Sequence, residues 1–212
     1  MTTAKQTGSF SRQKVSRMVQ LALFSAIILV MAFTPLGYLK IGVLSITFIT
    51  IPVVVGAILL GPGAGAFLGG VFGLTSFVQC FGMDAFGTAL FGINPVFTFI
   101  MCVAARILMG FLTGLIFQAL YKVDKTKIWC FAAASLSGAV LNTVLFMGCL
   151  VLFFGRSDYI LNMQATMGVN SVMGFLVAMV GLNGVLEAAV CLVAGGAIGK
   201  ALHMYLTRRS KV

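Results

Sequence analysis

Apolar residues fill most of this chain in long blocks, parted by short clusters of charged, amide or glycine residues, without the strict alternation of a half-buried sheet. The blocks lie near Met18–Thr34, Val43–Leu60, Gly63–Phe81, Val96–Tyr121, Ile128–Phe154 and Ser171–Met204. A helix needs roughly 20 apolar residues to cross a bilayer, so the pattern predicts a six-transmembrane-helix bundle, an all-α integral membrane protein. Small residues recur within the blocks at helical spacing. Gly65, Gly69 and Gly73 follow one another at intervals of four, as do Gly110 and Gly114, and such stripes let helix backbones approach closely in lipid. The pair Ala22 and Ala26 forms a similar stripe on the first helix, suited either to bundle packing or to another protein. The "LGPGAG" stretch, with Pro62 among glycines, predicts a tight reversal between the second and third helices.

Composition sharpens the class. Of 212 residues, 60% are hydrophobic and 8% charged, which excludes an ordinary soluble domain. The net charge of +10 does not form a nucleic-acid face, because the basic residues collect at the ends of apolar blocks. Lys5, Arg12, Lys14 and Arg17, then Lys122, Lys125 and Lys127, then Lys200, Arg208, Arg209 and Lys211 fall on one side of a six-span arrangement, which predicts cytoplasmic N and C termini. The expected organisation is a basic tail over 1–17, a membrane domain over 18–206 and a basic tail over 207–212. The first apolar block follows a positive front but precedes no small-residue cleavage site, and is read as a retained helix. On the outer side lie Lys40, Asp84 and the polar connection "GRSDYILNMQATMGVN".

Catalytic chemistry has little to stand on. The five cysteines (Cys80, Cys102, Cys130, Cys149 and Cys191) show no C-x-x-C spacing and are read as packing residues, with no metal site or cofactor expected. "GGAIGKA" has the wrong spacing for a Walker A loop, and the single histidine, His203, has no acidic neighbour in sequence. Any ATP hydrolysis therefore belongs to partners.

The intramembrane polar groups carry the functional signal. Arg106 interrupts an apolar run, where a cation costs roughly 2.5–3.5 kcal/mol even on lenient insertion scales. Glu187 is the acidic residue within a span, Asn183 stands four residues before it on the same face, Asn142 lies in the fifth block, and Asn94 precedes Pro95 at the outer approach to the fourth. Two arrangements fit. In one, which can coexist with the other, Arg106 and Glu187 pair to fix helix register while Asn142 and Asn183 hydrogen-bond across helices. In the other, a polar cavity opens outward, Arg106 takes an anionic group of a small ligand, and Asn142, Asn183 and Glu187 take its hydroxyls or amide. Gln79, Asp84, Asn94, Asn162, Gln164 and Asn170 are candidates for a lid or entrance, and aromatic residues are too numerous to nominate one as a partner of the ligand.

Three stretches carry a family resemblance: "ALFSA", "IPVVVGAILLGPGAGAFLGGVFGLTSF" from Ile51 to Phe77, and "ARILMGFLTGLIFQAL" from Ala105 to Leu120. From Met18 to Leu206 the chain resembles the substrate-binding S components of energy-coupling factor (ECF) vitamin transporters, and within them the pantothenate-type branch. That branch commonly has Pro before the arginine and His before Ile-Pro, where this chain has Ala105 and Thr50. The resemblance implies a six-helix capture subunit of the bacterial plasma membrane that works with a transmembrane T subunit and two ATP-binding cassette ATPases. It implies that Ala22 and Ala26 contact the T subunit, and that the S component topples in the membrane to deliver its vitamin. Pantothenate, with one carboxylate, two hydroxyls and an amide, suits one buried arginine among amide side chains; Gln79 and Asn94 join Arg106, Asn142, Asn183 and Glu187 as expected substrate contacts. The competing readings are a proton-coupled carrier in which Glu187 titrates, and a structural subunit that only assembles.

Overall fold

The glycine stripe predicted from spacing builds the centre of the fold. In the computed structural model, which describes residues 3–34, 37–41, 44–124, 129–169 and 171–209, helix α3 (Pro62–Gln79) lies against α5 (Pro95–Val123) along that stripe. A methyl group placed on Gly65 would strike the carbonyl of Gly110, one on Gly69 the carbonyl of Arg106, and one on Gly73 the Cα of Val103 at 2.7 Å. Gly114 completes the run against Pro62. As the number rises on one helix it falls on the other, so the two are antiparallel and nearly backbone to backbone.

The remaining elements gather around this pair. They are α1 (Thr3–Ala32), β1 (Tyr38–Ile41), β2 (Leu44–Thr47), α2 (Thr50–Leu60), α4 (Ala85–Ile93), α6 (Trp129–Phe154), α7 (Asp158–Thr166), α8 (Val172–Val190), a π-turn (Cys191–Gly195) and α9 (Gly196–Arg209). Among the described residues, four segments are long and apolar enough to cross a membrane: Lys14–Ala32, Pro95–Val123, Trp129–Phe154 and Gly184–Met204. The expected second span differs most. Its helix has 11 residues, and the sequence before it forms an antiparallel hairpin in which Tyr38 faces Thr47 and Ile41 faces Leu44. Hydropathy averages over "LSITFIT" and misses its β-branched, alternating character, which favours a strand. The reversal between α2 and α3 is made by one residue, Gly61, at φ +92°, where a side chain is strained; Pro62 opens α3 with its fixed φ.

Two connections read as loops carry short helices. Asp84 caps α4 by accepting from the Gly87 amide at 2.8 Å, and Ser157 caps α7. Lys125, Lys127, Asn170, Lys211 and the residue Val43 that opened the predicted second span lie outside the described residues. The same holds for the side chains of Lys5, Arg12, Lys40, Asn183, Arg208 and Arg209.

Along α5 the buried residues Thr98, Met101, Cys102, Ala105, Arg106, Met109, Gly110, Thr113, Gly114 and Phe117 keep helical period, while Ile107, Leu108, Phe111 and Leu115 are exposed. The helix therefore presents Arg106 to the interior of the bundle. On α6, Ser135, Gly138, Ala139 and Asn142 share the inward face, and Gly195 of the π-turn comes close to Ser135. These approaches fix where α8 meets α6, and with it the height of Glu187 against Asn142.

Candidate functional site

Arg106 is 7% exposed and is held by aromatic faces more than by hydrogen bonds. Its guanidinium carbon stands 4.6 Å from the ring centre of Phe146 and 5.2 Å from that of Phe72. One amine, Nη1, donates to the Met101 carbonyl at 3.2 Å, and the buried Nε has no acceptor. Cation–π contacts offset part of the burial of charge, but they accept none of the five N–H donors of a guanidinium.

Glu187, 8% exposed, is engaged elsewhere. Its Oε1 accepts from Thr50 Oγ1 at 2.9 Å and from Asn142 Nδ2 at 3.0 Å, joining α8, α2 and α6 at one carboxylate oxygen. Among the described residues no ion pair forms between Arg106 and Glu187. Of the register-fixing arrangement, the ion pair is thus absent among the described residues, while a hydrogen bond across helices from Asn142 is present, to Glu187. The two groups are linked through α6, where Asn142 and Phe146 are four residues apart on one helical face.

The structure thus joins Asn142 and Glu187 directly, sets Arg106 against Phe146 one turn along α6 from Asn142, and adds three residues that sequence reasoning did not nominate. Phe72 and Phe146 were hidden among 19 phenylalanines, and no spacing rule distinguishes a cation-flanking ring from a packing ring. Thr50 had a signal, as the position where the resemblance leads one to expect histidine; its hydroxyl donates a hydrogen bond to Glu187. Thr50→Val removes that donor while keeping the shape. The expected loss is about 1–2 kcal/mol of stability, because a buried carboxyl oxygen loses one of its two donors among the described residues; thermal unfolding of the purified variant in detergent checks it.

The predicted entrance residues have local work. Gln79 Nε2 donates to the Ala32 carbonyl at 2.6 Å, tying the end of α3 to the end of α1. Asn94 Oδ1 caps α5, accepting from the amides of Val96 at 3.1 Å and Phe97 at 3.2 Å. Asn162 is exposed on α7, and Gln164 on the same helix is buried with its Nε2 unpartnered. The cap separates two roles of Asn94. Asn94→Asp preserves it, since Asp and Asn cap equally well, but removes the amide N–H donors and adds negative charge. The expected result is unchanged thermal stability with affinity for an anionic ligand lowered about 2- to 12-fold, the worth of one hydrogen bond, read by calorimetric titration.

Ala22 and Ala26 lie on the exposed side of α1, opposite the buried Phe24, Ile28 and Ala32. Leu23 and Ile27 flank them, also exposed, so this face is apolar and uncovered by the chain's own elements.

Comparison with known proteins agrees in class. The family model described as "ECF transporter, substrate-specific component" matches residues 16–194. The pantothenate transporter PanT of Leuconostoc mesenteroides subsp. mesenteroides is 30% identical over 201 residues, 91% of this chain and 94% of that protein. The pantothenic acid transporter PanT of Lactococcus lactis subsp. cremoris is 29% identical over 185 residues, 80% of this chain and 91% of that protein.

Proposed function

The chain belongs to the substrate-specific component family of ECF transporters, and from that premise we propose that it captures pantothenate outside the cell and delivers it inward with a T subunit and two ATPases. The observation that carries the reading is Arg106: a buried guanidinium, flanked by rings, with a donor committed to nothing. A ligand carboxylate supplies the short, charge-assisted acceptor that such a group lacks. Asn142 and Glu187, already hydrogen-bonded to each other, present a donor and an acceptor for the ligand's hydroxyls and amide, and Asn183 is the further contact that the sequence nominates. Gln79 and Asn94 stand at the outer ends of α3 and α5, where the ligand enters.

In this reading the bundle crosses the plasma membrane six times, with α2 and α3 as a pair of short spans and both termini cytoplasmic. The apolar face around Ala22 and Ala26 docks on the T subunit; methyl-sized side chains there permit close helix approach. The test is uptake of labelled pantothenate by cells that lack their own transporter. Uptake that requires coexpressed T and ATPase subunits, and stops on ATP depletion, is expected. Uptake by this chain alone, driven by an imposed pH gradient, contradicts the proposal and identifies a secondary carrier.

A further inference from the structure

Sequence spacing gave the cysteines nothing beyond packing, yet the fold brings two of them together from separate helices. Cys80, at the C-terminal end of α3, and Cys102, on the inward face of α5, place their Sγ atoms 4.0 Å apart. They are 4% and 2% exposed. Helical side chains lean toward the N-terminus of their own helix, so in an antiparallel pair Cys80 leans inward and Cys102 outward until they meet. Gly87 of α4 makes room: a methyl group there would lie 2.7 Å from the Cys80 sulfur.

The pair sits on the wiring of Arg106. Cys102 precedes Arg106 by one helical turn on the same face. The carbonyl that anchors Arg106 Nη1 belongs to Met101, in the peptide that joins Met101 to Cys102. A rotation at Cys102 therefore moves the acceptor that holds the guanidinium. The surroundings also set how the two sides share the movement, the larger part falling to Cys80. Below the thiols, Gly73 locks α3 to α5 near Val103. Above them, Cys80 ends its helix and runs into an exposed turn, Phe81–Met83, with Gly82 at φ +110°.

We propose that Cys80 and Cys102 are a reversible thiol–disulfide pair, and that their oxidation shifts Arg106 and weakens capture of the anionic ligand. Two S–H bonds break and one S–S bond of about 2.05 Å forms. Two electrons and two protons pass to a two-electron oxidant of the peroxide or diazenedicarboxamide class; with hydrogen peroxide, the O–O bond breaks and two waters form. The approach of the sulfurs is shared between the Cys80 turn and a twist of the Met101–Cys102 peptide, whose carbonyl holds the guanidinium. The affinity arm rests on the proposed function; formation of the bond does not.

The experiment uses the full chain in detergent, treated with diazenedicarboxamide (diamide), alkylated and digested. Mass spectrometry is expected to find the peptides of Cys80 and Cys102 joined and two hydrogens lighter than the separate pair. Calorimetric titration of pantothenate is expected to show Kd raised at least about 10-fold in the oxidised chain, restored by dithiothreitol, and indifferent to diamide in Cys80→Ser. Cys102→Ala serves as the insensitive variant if Cys80→Ser does not fold. Absence of the cross-linked peptides from folded protein overturns the pair. A complete cross-link with unchanged affinity overturns its coupling to Arg106. If the reduced chain binds no pantothenate, the proposed function fails on its own account, and the cross-link, read without ligand, still decides the pair.

Discussion

Arg106→Ala is expected to raise the Kd for pantothenate about 100- to 1000-fold while leaving the chain folded. That factor corresponds to about 2.7–4.1 kcal/mol, within the roughly 2–5 kcal/mol lost on truncating one partner of a buried charge pair in a complex. Retention of the fold follows from the site itself. Among the described residues the guanidinium makes one hydrogen bond and two ring contacts, the latter worth about 0.5–2 kcal/mol, against the roughly 2.5–3.5 kcal/mol cost of burying a cation in a membrane helix. Alanine removes both. Arg106→Lys keeps the charge as a compact ammonium without the planar fork, so it is expected to recover part of the affinity and stay well below wild type. Titration checks the first effect and thermal unfolding the second.

Gly69→Val is expected to be the most damaging substitution to the fold, because the added carbons fall on the Arg106 carbonyl. Backbone does not step aside as a flexible side chain does, so α3 and α5 must separate. Separation loses the matching approaches of Gly65 to Gly110 and of Gly73 to Val103 as well. A loss above about 4 kcal/mol is expected, the range reserved for overpacking at a close backbone contact. Gly148→Ala on α6 is the control: nothing lies within 4 Å of its added methyl, and alanine favours helix by about 1 kcal/mol, so it is expected to be neutral or slightly stabilising. Size-exclusion profiles in detergent and thermal unfolding separate the two.

The contrast between these glycines shows what was legible in the sequence. Spacing of four identified Gly65, Gly69 and Gly73 as a contact stripe, because close helix packing in lipid leaves few other uses for such a pattern. Arg106, Asn142 and Glu187 were equally visible, since polar groups in apolar runs are conspicuous. Their partners were not. Whether Glu187 meets Arg106 or Thr50 depends on the relative height of α2, α5, α6 and α8, and that height is set by contacts such as Gly195 with Ser135, which no single segment encodes. The hairpin before α2 and the short helices α4 and α7 were missed for a different reason. A window wide enough to detect a span averages over elements of four to nine residues. The meeting of Cys80 and Cys102 also depends on antiparallel packing, because 22 residues separate them in the chain.

The central claim is that Arg106 is buried for the ligand's carboxylate. It is tested most directly by titrating wild type and Arg106→Ala each with pantothenate and with its alcohol analogue, in which a hydroxymethyl group replaces the carboxylate. The account predicts that wild type prefers pantothenate by about 100-fold or more and that the preference disappears in Arg106→Ala, the interaction assigned by a double-mutant cycle. A wild type that binds both compounds equally, or a folded Arg106→Ala that keeps the full preference, would contradict it.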